Sequence, residues 1–363
     1  MNFIFNLLLL VLLVIIAICK SRKLHFIGGG IVLCIVMLIA NRSLTVPDTE
    51  GYVELFNGIS TSFFDFNTYP ELGYQFINKL FKQFTSNHTV FFFCLTLFNV
   101  FNLAYILKSH PSLLGNNKER NLLLFFVLYI AFFGYYYNAI VLRAGMAMLF
   151  VVNATLYACL DNMKKKDFLM MMLFQILAIL FHVSSTIWIP VLFYVKHLNN
   201  ERRYTKNLLI LIISAFVYFT RIGDVIALGF VNNLLSQISL VNNEGLDFSR
   251  FSYYIDNGES SGIAFKYLFF LLSAFLFNSI DIKNNYYRKI LPVYIVGIFI
   301  FSFLRSILII ERITDYFTLF SFVLYYILIS NLHNSTIRAR MNKIILTIAV
   351  CVIQFIFAFR IIN

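Results

Sequence analysis

Arg143, Arg305 and Arg312 interrupt stretches of sequence that are otherwise nearly free of charge. A guanidinium group presents a fixed fork of donors suited to phosphate, so three of them at one membrane level read as a pyrophosphate site. Arg143 lies in Asn138-Ala139-Ile140-Val141-Leu142-Arg143-Ala144-Gly145-Met146-Ala147, five residues into an apolar helix. It either snorkels to the headgroups or meets an anionic partner, the second favoured by Ala144, Gly145 and Ala147, which suit a packed protein face. Arg312 and Tyr316, in Glu311-Arg312-Ile313-Thr314-Asp315-Tyr316, share a helix face at i,i+4. Plain ion pairing is the competing reading there, Arg312 with Asp315 and Glu311 with Arg305.

His182, in Phe181-His182-Val183-Ser184-Ser185, stands where a helix has to break. Its unperturbed pKa of about 6.5 suits a general base near neutrality. It equally fits a satisfied buried polar group or a ligand to a pyrophosphate oxygen. Asp48, Glu54 and Glu71 are the other candidate bases, and Tyr52 and Tyr316 are phenols placed to meet a sugar. Asp48 in Pro47-Asp48-Thr49-Glu50-Gly51-Tyr52-Val53-Glu54 also fits a helix start, with Asp48 as N-cap and Glu50 favoured by the dipole. Glu71 in Pro70-Glu71-Leu72-Gly73-Tyr74 also fits a first-turn acid. No acidic pair has metal spacing, so neither a metal nor a cofactor is expected. Cys19, Cys34, Cys94, Cys159 and Cys351 fall within or at the ends of apolar runs and read as small buried side chains.

The elements that must hold these groups are apolar helices. Runs such as Asn2–Ile18, Phe26–Ala40, Leu122–Tyr137, Phe265–Ile280 and Ile344–Phe359 approach or reach the length of about 20 residues that crosses a bilayer. With 363 residues, 60% hydrophobic content and a mean hydropathy of +0.80, no separate soluble domain fits. The expected fold is all-α and polytopic, a single integral membrane domain over 1–363. The net charge of +12 reflects positive-inside bias, not nucleic acid. Six basic clusters, around 20–23, 108–120, 164–166, 196–206, 283–289 and 338–343, mark inner loops, whereas most acids fall between them.

This arrangement predicts about 12 transmembrane helices with both termini outside. The 28-residue stretch Phe168–Val195 is too short for two full crossings, at about 1.5 Å per residue, so it is expected to form two short helices meeting near His182 on the outer side. Outer loops span 41–88 and 220–262. In the first, Gly51–Asn57 and Glu71–Phe84 suit short interfacial helices, with Lys79 and Lys82 facing headgroups. No internal repeat is present, which weighs against a transporter built on repeated halves.

The ordered set Asp48…Tyr52, Pro70-Glu71…Tyr74, Leu142-Arg143-Ala144-Gly145-Met146-Ala147, Phe181-His182-Val183-Ser184-Ser185 and Arg312…Tyr316 resembles the EpsG-type branch of bacterial polysaccharide polymerases. These are similar in role to Wzy O-antigen polymerases. The resemblance spans roughly 45–320 and implies a multi-pass protein of the bacterial cytoplasmic (inner) membrane. It implies a donor glycan on undecaprenyl pyrophosphate, an acceptor hydroxyl on another lipid-linked unit, contact with membrane lipid, and a chain-length regulator as a possible partner. The Arg-x10-Gly loop motif of some Wzy proteins is absent, because Gly262 falls one residue late after Arg250. The alternatives are an O-antigen ligase or another multi-spanning lipid-sugar glycosyltransferase, a lipid-linked oligosaccharide flippase, and a membrane acyltransferase. A flippase would need polar residues along the midplane, and an acyltransferase no outer arginines.

Overall fold

A computed structural model of the chain describes residues 2–19, 21–60, 62, 71–114, 121–223, 226, 265–305, 308–332 and 337–362. Among them all regular structure is helical. That follows from the solvent, because a backbone in hydrocarbon must satisfy its polar groups internally and a helix does so within one segment. Among the described residues, six helices are long and apolar enough to cross a membrane: Lys23–Ala40, His88–Ser109, Leu122–Ala139, Asn285–Leu304, Arg312–Asn331 and Ile337–Ile362. Shorter apolar helices cover Phe3–Ile18, Leu142–Ala158, Tyr204–Thr220 and Phe265–Ser279. The chain is a polytopic helical membrane protein. Its contacts gather into two compact units, Met1–His197 with Tyr325–Asn363, and Leu198–Leu324.

In the first unit, α1 (Phe3–Ile18) packs on α2 (Arg22–Ala40) and on the C-terminal helix Ile337–Ile362. Two short helices follow, α3 (Thr49–Gly58) and α4 (Leu72–Lys82), then α5 (His88–Ser109), which lies along α2. The next span is made of α6 (Leu122–Tyr129), a π-helical turn at Ile130–Gly134 and α7 (Tyr135–Ala139). The chain then breaks at Ile140-Val141, a β-branched pair, and α8 (Leu142–Ala158) begins. Gly145 lets α8 lie close against the preceding segment, since a Cβ there would stand 2.6 Å from that of Tyr137. After it, α8 packs along α9 (Lys165–Phe181) and receives α10 (Trp188–His197).

Buried amides tie these helices together. Asn99 donates to Asn138 at 2.6 Å, Asn153 to Asn102 at 2.7 Å, and the Trp188 indole to the Thr155 hydroxyl at 2.7 Å. In a bilayer, where apolar contact with a neighbouring helix gains little over contact with lipid, such bonds are a main source of cohesion.

The helix α4 is amphipathic in the opposite sense from a soluble helix. Leu72, Phe76 and Leu80 are exposed, whereas Tyr74, Gln75, Asn78 and Lys79 are buried. Lys79 and Lys82 therefore do not face headgroups as the periodicity suggested. Lys79 is 1% exposed and donates to the Ser62 carbonyl at 2.8 Å, while Lys82 donates to the carbonyls of Phe56 and Asn57 at 3.2 Å each. With lipid on the outside, the apolar face turns out and the polar face finds partners within the protein. The cysteines also differ from expectation: Cys159 and Cys351 are buried, Cys19 and Cys94 half-buried, and Cys34 exposed on α2.

The second unit contains α11 (Tyr204–Thr220), α12 (Phe265–Ser279), α13 (Asn285–Leu304) and α14 (Leu308–Thr318). Here α11 packs on α12 and α13, and α13 on α14. Lys266 pairs with Asp315 at 3.0 Å, and the Tyr267 hydroxyl bonds that of Ser302. The segment Glu311–Tyr316, in which Arg312 and Tyr316 were expected to share a helix face, is helical within α14. Most of the expected outer loop 220–262, Arg250 and Gly262 included, lies outside the described residues.

Candidate active site

Three helix ends meet in the first unit, each ended by its own sequence. The helix α9 stops at Phe181, and His182 adopts an extended conformation (φ −157°, ψ 110°) before a 3-10 turn, Val183–Ile187. Hydroxyls compete with the backbone here: Ser185 donates to the His182 carbonyl at 2.6 Å and Thr186 to that of Val183 at 2.7 Å. Gln175 pins the turn by donating to the Ser185 carbonyl at 2.8 Å. The break at His182 is thus where the shortness of Phe168–Val195 placed it.

Glu71 caps α4 by position (φ −57°, ψ 148°), yet its side chain caps nothing. It turns instead to two partners. Arg143 Nη1 donates to Oε2 at 2.5 Å, and His182 Nδ1 lies 3.0 Å from Oε1. The other ring nitrogen, Nε2, lies 3.1 Å from Ser184 Oγ. Burial pushes the Glu71 carboxyl up, but the His182 hydrogen bond, its own backbone N–H and the Arg143 charge outweigh it and hold it at about 2. A carboxylate only accepts, so Nδ1 carries the proton toward Glu71 and Nε2 is left as the accepting nitrogen. His182, Glu71 and Arg143 keep 25%, 13% and 16% of their side-chain surface exposed, enough for a substrate to reach them.

Gly73 makes this approach feasible. A Cβ there would meet the Leu180 carbonyl oxygen at 2.8 Å, so glycine lets the first turn of α4 lie on the last turn of α9. Arg143 is the second residue of α8, not five residues into a continuous helix, because the chain breaks at Val141. Its guanidinium therefore stands at a helix start, where backbone N–H groups are also unbonded. Tyr52, buried on α3, lies against both the Arg143 guanidinium and its backbone N–H; burial pushes the phenol up and Arg143 opposes this.

The other candidates are placed as follows. Asp48 is exposed at the N-cap position of α3 with φ 61° and ψ −7°, and its side chain makes no cap bond. Glu54 is exposed on α3. In the second unit, Arg305 stacks 4.7 Å from the Tyr218 ring centroid and donates to the Tyr218 carbonyl at 3.5 Å. Arg312 is exposed on α14, whereas Tyr316, one turn on, is 1% exposed. Asp315 pairs with Lys266 across helices; the Glu311 side chain lies outside the described residues. Ser184 and Tyr74 belong to the same cluster as His182 and Tyr52; the sequence offered them only as members of the motifs that resemble the EpsG-type proteins, with no role of their own. Among the described residues, no three metal-ligating side chains gather.

A multi-pass helical membrane protein that collects a carboxylate, an imidazole, a guanidinium and phenols at adjoining helix ends has the makings of a membrane enzyme. The chain belongs to the EpsG family, whose profile it matches over residues 25–363. This is a family of Wzy-like polysaccharide polymerases. No curated protein and no solved structure matches the chain.

Proposed function

We propose that the protein joins undecaprenyl-pyrophosphate-linked oligosaccharide repeat units into O-antigen, capsule or exopolysaccharide on the outer face of the bacterial cytoplasmic membrane. The observation that supports this best is Glu71, one carboxylate holding both an imidazole and a guanidinium. The acceptor hydroxyl gives its proton to His182 Nε2, and its oxygen bonds to the anomeric carbon of the donor. The bond from that carbon to pyrophosphate breaks, and the lipid pyrophosphate leaves with the electron pair toward Arg143. Glu71, held ionised, fixes the His182 tautomer and is a poor base itself. Tyr52 and the exposed Asp48 and Glu54 are the candidates for contact with the acceptor sugar, and Arg305, Arg312 and Tyr316 stay candidates for pyrophosphate and sugar contacts on their own helices.

In this proposal the chain keeps twelve crossings with both termini outside, α9 and α10 being read as one broken hairpin whose bend carries His182. An impermeant thiol reagent should label a cysteine at Asn57 in cells with a permeabilised outer layer and should leave one at Lys165 protected. The function is tested by surface glycan from a deletion strain. A ladder collapsed to one repeat unit is expected; loss of every repeat would instead indicate a flippase or ligase.

A further inference from the structure

Arg42, just beyond α2, is 7% exposed, yet no carboxylate pairs with it among the described residues. Its Nε donates to Thr49 Oγ1 at 3.0 Å and Nη1 to the Ile39 carbonyl at 3.3 Å. The guanidinium carbon lies 4.0 Å from the Phe92 ring centroid, and Nη2 has no acceptor. A cation taken out of water without a counter-charge is costly, and burial pulls this one down to about 10. The titratable groups that act on it are the Tyr74 and Tyr52 phenols, whose rings pack edge to face at 5.8 Å. Burial pushes both phenols up, so at neutral pH they supply hydroxyls and no anion. Tyr52 also touches Arg143, so two guanidinium groups flank the pair of phenols.

An apolar cleft of about 560 Å³ is lined among others by Cys34, Met37 and Asn41 from α2 and its end, and by Thr89, Val90 and Phe93 from α5. Asn41 precedes Arg42, and Phe93 follows the ring under the guanidinium. If α2, α5 and the Leu122–Ala139 span each cross, the end of α2, the start of α5 and the start of α8 share one membrane face. The cleft then lies at the level of Arg143.

We propose that Arg42 is a phosphate-binding residue of a lipid diphosphate site, with Arg143 and the Tyr52 and Tyr74 hydroxyls around the diphosphate and the prenyl chain in the cleft between α2 and α5. This rests on reading the donor as a lipid diphosphate. The buried charge of Arg42 is matched when that anion arrives.

The test uses the full chain in nanodiscs, with inorganic pyrophosphate and farnesyl diphosphate as probes, read by calorimetry and thermal unfolding. Wild type should bind farnesyl diphosphate more tightly than pyrophosphate. Arg42→Gln should weaken both at least tenfold while its unliganded Tm stays equal or rises, because an unmatched buried charge has gone. Val90→Trp should weaken farnesyl diphosphate tenfold and spare pyrophosphate. Wild-type affinity in Arg42→Gln overturns the site, as does a lowered unliganded Tm with affinity kept. Equal binding of both probes by wild type, or an unaffected Val90→Trp, overturns the lipid assignment. If Arg42→Gln fails to insert, Arg42→Lys carries the test, since it keeps the charge but not the fork; several-fold weaker binding supports the site and full affinity overturns it. Arg42-dependent binding alongside an intact glycan ladder in the deletion strain would keep this site and remove the polymerase reading; a collapsed ladder with Arg42-independent binding would do the reverse.

Discussion

Glu71 Oε1 stands 3.0 Å from Nδ1 of His182, 111 positions along the chain, and its other oxygen holds Arg143. One carboxylate thereby sets the direction of the imidazole and anchors the guanidinium. Glu71→Gln keeps the shape but gives up the charge, so it should impair polymer formation nearly as much as loss of His182. Glu71→Asp, one methylene short of both partners, should restore little. Polymer length on surface-glycan gels, with membrane protein level as control, reads both.

A base acts on turnover more than on binding. His182→Ala should lower turnover by about 10²–10⁴-fold in a purified system with lipid-linked donor, and leave donor KM within a few-fold. Ser184→Ala should keep most activity, because its hydroxyl only occupies the position that an acceptor hydroxyl takes. Near-normal turnover in His182→Ala would assign the base elsewhere.

Arg143→Ala should abolish polymer while the protein still inserts. Lys at 143 should rescue poorly, since a point charge cannot hold Glu71 and a phosphate with one fork. Arg312→Ala is expected to behave the same way. Full polymer in both alanine variants would reduce these arginines to snorkelling side chains.

The partners of Glu71, the Arg143 charge and the His182 hydrogen bond, should also leave a mark on stability against pH. Its carboxyl is lowered from 4.5 to about 2, so the unfolded chain takes up the proton first. The stabilisation is complete above about 4.5 and fades as pH falls toward 2. The Tm difference between wild type and Glu71→Gln in detergent should therefore hold from pH 7 to 5 and shrink at pH 3. A constant difference would mean the carboxylate is not held ionised by its partners.

Gly73→Ala places a methyl group against the Leu180 carbonyl, backbone that cannot swing away. Either α4 lifts from α9 or both strain, at a cost of about 1–3 kcal/mol. Because Glu71 rides on that turn, activity should fall further than stability does. Equal Tm and equal polymer would show that the approach is looser than the geometry implies.

Asp48 has φ 61°, a conformation that asparagine also tolerates. Asp48→Asn should keep α3 and, if the carboxylate binds acceptor, raise the acceptor concentration needed without lowering maximal turnover. A variant dead at saturating acceptor would make Asp48 the base in place of His182.

The chain's class was legible residue by residue. Long charge-free runs leave the backbone no alternative to helix in a bilayer, and 28 residues from Phe168 to Val195 require a break, which falls where the Ser185 and Thr186 hydroxyls take the carbonyls of His182 and Val183. Short helices near Gly51–Asn57 and Glu71–Phe84 were readable from spacing too, and they appear as Thr49–Gly58 and Leu72–Lys82. Glu71, Arg143 and His182 could each be singled out as polar groups needing a partner. That they are one another's partners could not be read, since it depends on the close approach of α4 to α9 at Gly73. Nor could the burial of Lys79 or of Arg42. In water, an apolar stripe says which face of a helix turns inward. Beside lipid it says only that the face is apolar, because hydrocarbon and protein interior accept it alike. Which way α4 faces, and which charges it carries inward to the site, is decided by the polar partners that the tertiary packing supplies.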